Sequence, residues 1–221
     1  MIVAIDGTAA SGKSTMAHQV AEVSGFVFMD SGVMYRAAAF GFLKHDIEST
    51  ERGAAAYLPT MNLEVNCIQS RTKVYVDEED VSSRLHTSRI TEMSSRIAML
   101  RGVREFLLGV QHGIGDRFDE DPGVVAVGRD IGTVVFPDAE WKFFVTASPE
   151  VRARRRLAEL SQTGIETSFQ EVFDAIIERD RQDSQRVIAP LKKASDAIVI
   201  NTDDLTPDEQ AAIVLKYILE R

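Results

Sequence analysis

Ile2-Val3-Ala4-Ile5-Asp6-Gly7-Thr8-Ala9-Ala10-Ser11-Gly12-Lys13-Ser14 decides the fold of this chain. The first residues are almost wholly apolar, the pattern of a strand buried on both faces of a parallel sheet. Over residues 14–23 the apolar Met16, Val20 and Val23 recur at helical spacing. Between strand and helix, residues 7–14 fit G-x-x-x-x-G-K-[ST]. Glycine lets such a loop curl until successive N–H groups point into one concavity, and the helix start adds partial positive charge there. Lys13 is placed to reach β- and γ-phosphates, and the Ser14 hydroxyl to ligate Mg²⁺. The stretch predicts that the chain holds a nucleoside triphosphate by its phosphates.

Outward from this loop, short apolar runs alternate with helical patterns. Strands are expected at 27–29, 124–127, 141–145 and 197–200, and helices at 34–43, 149–160 and 169–183. Thr206-Pro207-Asp208-Glu209 reads as an N-cap, a first-turn proline and acidic first-turn residues, opening a last helix. That alternation predicts a parallel α/β sheet covered on both faces. Residues 63–77 break the pattern. Leu63, Val65 and Cys67 alternate with Glu64 and Asn66, and the polar turn Gln69-Ser70-Arg71-Thr72 leads to Val74-Tyr75-Val76. This predicts a half-exposed antiparallel hairpin inserted into the parallel core. One long helix is expected over 88–110.

The chain has 221 residues and a net charge of −9, enough length for one core carrying a smaller lobe. An acidic total disfavours a nucleic-acid partner, yet leaves room for a small anionic substrate met by local arginines. A single cysteine, Cys67, excludes an intrachain disulfide and is expected to be packed. No apolar run approaches the roughly 20 residues of a membrane span, and the opening residues do not read as a signal peptide. A cytoplasmic protein is expected. His18, His45, His86 and His112 have no metal-ligand spacing.

The basic residues cluster. Asp30-Ser31-Gly32 follows the second strand, with Tyr35 and Arg36 on the next helix, and Gly128-Arg129-Asp130-Ile131-Gly132 follows the third. Ser95 and Arg104 lie on the long helix. Arg152, Arg155 and Arg156 share one helix face, with Arg154 pointing elsewhere, while Arg179, Asp183 and Arg186 recur at intervals of four and three. Ligands of open parallel sheets bind beyond the carboxyl ends of the strands, where the glycine-rich loop, Asp30-Ser31 and Arg129-Asp130 all fall. Phosphoryl transfer needs charge neutralised over several phosphates, and the planar, permanently charged guanidinium suits that task. A solvated helix face for Arg152 to Arg156, and a surface pair for Arg179 and Asp183, are competing readings.

Ile5-Asp6-Gly7 through Thr15, Asp30-Ser31-Gly32-Val33-Met34-Tyr35-Arg36, the segment from Gly128-Arg129-Asp130 to Pro137-Asp138-Ala139, and the segment from Glu178-Arg179-Asp180 to Ala189-Pro190-Leu191 together resemble the bacterial cytidylate kinases of the nucleoside monophosphate kinase group. The resemblance spans nearly the whole chain. It implies a P-loop NTPase-type three-layer α/β fold, with a five-stranded parallel core, the hairpin inserted in a monophosphate-binding lobe, and a short lid. It implies one kinase domain: core 1–29, 105–153 and 169–221, acceptor lobe about 30–104 and lid about 154–168. The reaction implied is ATP + CMP to ADP + CDP, with dCMP also accepted. By the same resemblance Gly7, Thr8, Ala9, Ala10, Ser11, Gly12, Lys13, Ser14 and Thr15 bind ATP. Ser31, Arg36, Ser95, Arg104, Arg129, Asp130, Asp183 and Arg186 meet CMP: Ser95, Arg104 and Asp130 read cytosine, Asp183 the ribose, and Arg186 the acceptor phosphate. Lys13, Arg129, Arg156 and Arg179 are the implied catalytic residues, with Mg²⁺ on Ser14. Neither nucleic acid nor membrane is an expected partner, and a monomer is expected.

Two positions depart from the family pattern. Val127 stands where an acidic residue usually precedes the Gly-Arg-Asp arginine by two places, which shifts metal work to Asp6, Asp30 or Asp130 or weakens it. Leu85-His86-Thr87-Ser88-Arg89 lacks an acceptor-lobe arginine, with Arg84 or Arg89 as nearby replacements. Two other readings stay open: a kinase for a different small acceptor, and a nucleotide-binding protein with little turnover.

Overall fold

The computed structural model describes residues 1–68, 71–162 and 164–220. Gln69 and Ser70 of the expected polar turn, and Thr163 of the expected lid, lie outside the described residues. In chain order the elements begin with β1 (Ile2–Gly7), α1 (Lys13–Ser24), β2 (Val27–Asp30), α2 (Ser31–Lys44) and α3 (Glu51–Tyr57). The inserted segment gives β3 (Leu63–Ile68), β4 (Arg71–Val76) and β5 (Glu79–Asp80), followed by α4 (Ser88–Ile97) and α5 (Arg101–Phe118). The remainder is β6 (Val124–Gly128), β7 (Trp141–Thr146), α6 (Pro149–Gln162), α7 (Phe169–Gln185), β8 (Ile198–Asn201) and α8 (Pro207–Leu219). Five strands form a parallel sheet in the order β2-β6-β1-β7-β8. The apolar runs explain it: Val3, Ala4 and Ile5 of β1 and Val124 to Val127 of β6 are all buried, as strands covered on both faces must be. The chain divides into two compact units, Met1–Ile2 with Ala21–Ala126, and Val3–Val20 with Val127–Arg221.

In the first unit the insertion is a three-stranded antiparallel sheet in the order β3-β4-β5. The expected hairpin is present, and the short β5 extends it through Tyr75 opposite Asp80 and Val76 opposite Glu79. Val74, Val76 and Cys67 turn inward, and burial pushes the Cys67 thiol up to about 11 although Thr72 hydrogen-bonds it. The insertion is tied to β2 by one hydroxyl: Thr72 Oγ1 donates to Phe28 O at 2.7 Å and accepts from Asp30 N at 3.1 Å. Asp30 in turn caps α2 by accepting from Val33 N at 3.2 Å, which fixes where Ser31 and Arg36 begin.

The single long helix expected over 88–110 is two helices. Thr87 caps α4, accepting from Ile90 N at 3.3 Å. The chain then leaves helical geometry, with Leu100 extended at φ −81°, ψ 127°. The restart at Arg101 is stabilised from outside the helix: Glu51 Oε1 accepts from Arg101 N at 2.6 Å and Oε2 from Gly102 N at 3.3 Å. A carboxylate fifty residues back supplies the cap that Leu100 cannot, and the apolar periodicity gave no sign of it.

In the second unit, β1 and β7 pair in parallel with Gly7 opposite Val145, and β7 pairs with β8. The register explains Gly7: a Cβ there would lie 2.0 Å from Val145 O. Helix α8 opens with the expected device, a capping box between Thr206 and Glu209 with Pro207 in the first turn. Helices α6 and α7 pack around Ala153, Val172 and Ile176. Replacing Glu51 by alanine should lower unfolding free energy by about 1 kcal/mol, the usual worth of an N-cap. Chemical denaturation checks this; unchanged stability would show that α5 needs no external cap.

Candidate functional site

Residues 7–14 leave β1 and enter α1, as the motif requires. Ala10 and Gly12 take the left-handed conformation, with φ of 56° and 88°. At Gly12 a Cβ would also press on Gln210 Oε1 at 2.8 Å, the movable end of a side chain, so the positive φ is the firmer reason for glycine there. Ser11 and Lys13 are buried, while Ser14 and Thr15 are exposed at the first turn of α1. Lys13 Nζ spans the loop to donate to Thr8 O at 2.9 Å, and Ser11 Oγ donates to the same carbonyl at 3.0 Å.

The strand before the loop ends in Asp6, which is buried. Its two carboxylate oxygens accept from Ile131 N and Gly132 N, both at 2.8 Å. Those amides open a single π-helical turn, Ile131–Val135, directly after Arg129 and Asp130. Burial pushes the Asp6 carboxyl up to about 6; the two amides pull it down, and the nearby Asp130 charge adds to the rise. Each oxygen thus accepts one amide of the turn, which places Asp6 as its anchor.

The turn presents Arg129 and Asp130 to α7 and the residues after it. Arg129 Nε donates to Asp183 Oδ2 at 2.7 Å, and Arg179 Nε approaches the same oxygen at 3.4 Å. Arg186 lies 3.9 Å from both Asp183 Oδ1 and Asp130 Oδ1, and its Nε donates to Ala189 O at 2.7 Å. Three guanidinium groups therefore gather around the Asp183 and Asp130 carboxylates. Burial alone would raise the Asp183 carboxyl, but Arg129 and Arg179 outweigh it and hold the group below the usual carboxylate range. Its stabilising contribution is present above that range and fades as pH falls through its lowered value. The arginines are held as fixed forks before any anion arrives.

Of the four arginines of α6, Arg154 is exposed, and the other three separate into different roles. Arg152 is buried: Nε donates to Ala147 O at 3.0 Å, Nη1 to Ala9 O at 3.2 Å and Nη2 to Asp180 Oδ2 at 2.6 Å. Arg155 donates to Thr202 Oγ1 at 3.0 Å and Thr202 O at 2.5 Å. Arg156 is exposed and pairs with Glu159 on its own helix at 3.0 Å. The solvated helix-face reading suits Arg154 and Arg156. Thr202 and Gln210 carry no motif that would have singled them out, and Asp180, though inside the segment that begins at Glu178, is given no role by it.

In the other unit, Arg104 is buried on α5, donates to Ala98 O at 3.2 Å and lies 5.7 Å from the Tyr35 ring centre. Ser31 is buried at the start of α2 and Arg36 is half-buried one turn on. Ser95 is half-buried, and its hydroxyl donates to Thr91 O at 2.9 Å. Of the two replacement arginines, Arg84 pairs with Glu79 and stacks 4.8 Å from the Phe40 ring centre; Arg89 is exposed in the first turn of α4.

The family model described as cytidylate kinase matches residues 3–220. A protein of Salinibacter ruber named cytidylate kinase is 44% identical over 216 residues, covering 97% of this chain and 95% of that protein. One of Aeromonas salmonicida with the same name is 40% identical, covering 98% and 93%. The chain belongs to the cytidylate kinase family. Two solved structures share the fold at lower identity. An uncharacterized protein from Eubacterium ventriosum has a TM-score of 0.54 at 12% identity, covering 100% of this chain and 99% of that one. TT1252 from Thermus thermophilus has a TM-score of 0.50 at 18% identity, covering 100% and 96%.

Family membership raises the question of a divalent ion. Among the described residues no group of three or more His, Cys, Asp or Glu could hold a metal, and no helix is long and apolar enough to cross a membrane. Ser14 offers an exposed hydroxyl beside the loop. That set fits Mg²⁺ carried in on phosphate oxygens with one protein ligand and waters, the usual way that ion is held.

The Asp6 carboxyl should titrate near 6 in a carbonyl-detected NMR experiment. Its folded-state value lies above 3.8, so between pH 3.8 and 6 the folded chain binds more protons than the unfolded one. Stability from this group therefore falls as pH rises through that window, by about 3 kcal/mol in all. The difference between wild type and Asp6→Asn, followed by denaturation against pH, should show that slope. A flat difference would place the carboxyl in a more solvated site.

Proposed function

We propose that this chain transfers the terminal phosphoryl group of ATP to CMP and dCMP, giving CDP and dCDP, with Mg²⁺ on the donor. One observation carries the reading. In a chain belonging to the cytidylate kinase family, the unit that holds the strand–loop–helix anion cradle also holds a cluster of three arginines around Asp183. A cradle alone serves any triphosphate hydrolase. Fixed guanidiniums in addition suit an acceptor that is itself an anion.

The chemistry asks for positioning and charge neutralisation more than proton transfer. An oxygen of the acceptor phosphate is already anionic and attacks the γ-phosphorus directly, so no general base is needed. The loop amides and Lys13 bind the β- and γ-phosphates, and Mg²⁺ coordinated by Ser14 neutralises charge developing on the phosphate oxygens. Arg129, Arg179 and Arg186 stabilise the transferring group and the acceptor phosphate, with Ser31 and Arg36 contributing to that phosphate. Asp183 takes the ribose hydroxyl, while Arg104, Ser95 and Asp130 read the cytosine edge. Arg156 joins the charge on the γ-phosphate by exchanging Glu159 for it. Residues 154–168 close over the donor and exclude water, which keeps ATP from being hydrolysed. The chain acts in the cytoplasm as a monomer.

A coupled assay with CMP, dCMP, UMP and AMP tests the assignment. Turnover should favour CMP and dCMP and should require Mg²⁺; equal turnover of all four would retain a kinase but discard the cytidine assignment. Lys13→Ala should lower kcat/KM for ATP by about a hundredfold or more. Arg104→Ala should reduce the preference for CMP over UMP while leaving ATP affinity within about threefold, the loss of one buried base contact.

A further inference from the structure

The donor loop is held from behind as well as from its own ends. Its amides serve phosphates only while its carbonyls point the other way, and a buried carbonyl turned outward needs a donor. Thr8 O is satisfied within the loop by Lys13 and Ser11. Two further carbonyls are served from elsewhere in the same unit. Ala9 O accepts from Arg152 Nη1 at 3.2 Å, and Ser11 O accepts from Thr202 Oγ1 at 2.9 Å. Thr202 is fully buried and is itself held by Arg155 through both its hydroxyl and its carbonyl. Both supports therefore originate on α6, one direct and one through Thr202.

Arg152 spends its fork in three directions. Nε fixes the end of β7 through Ala147 O, Nη1 fixes the loop, and Nη2 pairs with Asp180 on α7. Only a guanidinium can do this, because an ammonium carries its donors on one atom. Asp180 Oδ2 receives Nη2, while Asp180 Oδ1 is buried with no hydrogen-bond partner among the described residues. That carboxylate has its main partner in Arg152. At φ 56° Ala10 sits in a conformation that costs a non-glycine residue free energy. The carbonyls of the two neighbouring residues, Ala9 O and Ser11 O, receive donors from outside the loop.

We infer that Arg152, with Asp180 behind it, and Thr202, with Arg155 behind it, are positioning residues for the donor nucleotide. They hold the Ala9 and Ser11 carbonyls outward, so that the strained loop keeps its amides converged on the triphosphate. They touch no reacting atom and act through the loop. The inference rests on the proposed reading of that loop as the ATP site. It gives α6 a second role besides presenting Arg156: the helix supports the loop through Arg152 and, by way of Thr202, through Arg155.

The test is the ratio of the two Michaelis constants. Arg152→Lys should raise KM for ATP at least tenfold and leave KM for CMP within twofold, because the acceptor cluster around Asp183 is untouched. Thr202→Val, which keeps volume and removes the hydroxyl, and Asp180→Asn, which keeps the shape and removes the charge, should each raise KM for ATP about three- to tenfold, a single lost contact. These two also carry the test if Arg152→Lys fails to fold. Titration of a fluorescent ATP analogue should give matching changes in Kd. Folded variants in which both KM values rise together, or in which only Tm falls, would overturn the inference and leave a purely structural network. Failure of the wild-type chain to bind ATP would overturn the functional reading and this inference together; ATP binding with an unchanged KM ratio in the variants would overturn only the inference.

Discussion

Backbone amides that converge on one point force the carbonyls of the same planar peptides to diverge, and the second unit is organised by that constraint. Between β1 and α1 the Thr8, Ala9 and Ser11 carbonyls all find donors. Thr8 finds them in the loop itself, and the other two reach to α6 and to the residue after β8. The close pairing of Gly7 with Val145 fixes where the loop departs. Gly12 fixes where it enters the helix, with Gln210 of α8 packed where a side chain would be. The cradle is thus a product of four elements besides its own, which explains why a motif of eight residues needs so large a scaffold.

Charge is handled by the same logic. Three buried or half-buried carboxylates of this unit each answer a specific structural demand. Asp6 accepts two amides and starts the turn that carries Arg129 and Asp130. Asp183 orients Arg129 and Arg179, and Asp180 anchors the fork of Arg152. Replacing buried pairs of this kind by apolar side chains is often neutral for stability, whereas removing one partner commonly costs about 3–5 kcal/mol. Their value lies in fixing orientation. A guanidinium already held as a fork loses less freedom when an anion binds than one that must be ordered first, so carboxylates beside arginines are compatible with anion binding provided the cluster keeps an excess of positive charge.

What could be read from the sequence divides along physical lines. Local signals were legible: β1 and the loop after it, the capping box at Thr206, the alternation in β3 and β4, and the spacing that gathers Arg179, Asp183 and Arg186. Each depends on residues within one or two turns of one another. The break between α4 and α5 was not legible, because the cap at Arg101 comes from Glu51 and no periodicity records a donor–acceptor match across that distance. The parts of Arg152, Arg155 and Arg156 were hidden for the same reason. Helical spacing placed them on one side of α6, but burial against Ala9, Thr202 and Asp180 depends on what packs there, and those partners lie 28 to 143 residues away. Residue type and period define a face; only the fold says which part of that face is covered.

Val127 shows how such a departure is absorbed. The position is fully enclosed in β6, where an ionised side chain would need a cation or several donors to offset its desolvation. Each oxygen of Asp6 accepts one amide, from Ile131 or Gly132, so that carboxylate holds the turn, and burial pushes its carboxyl up to about 6. Valine adds no buried charge in β6. Under the proposed reaction, the ion is fixed mainly by the donor's own phosphate oxygens and the Ser14 hydroxyl, and the accuracy of its placement depends on how rigidly the loop holds those phosphates. Under that reaction a chain with valine at this position leans more heavily on the donors behind Ala9 and Ser11 than one with a carboxylate there.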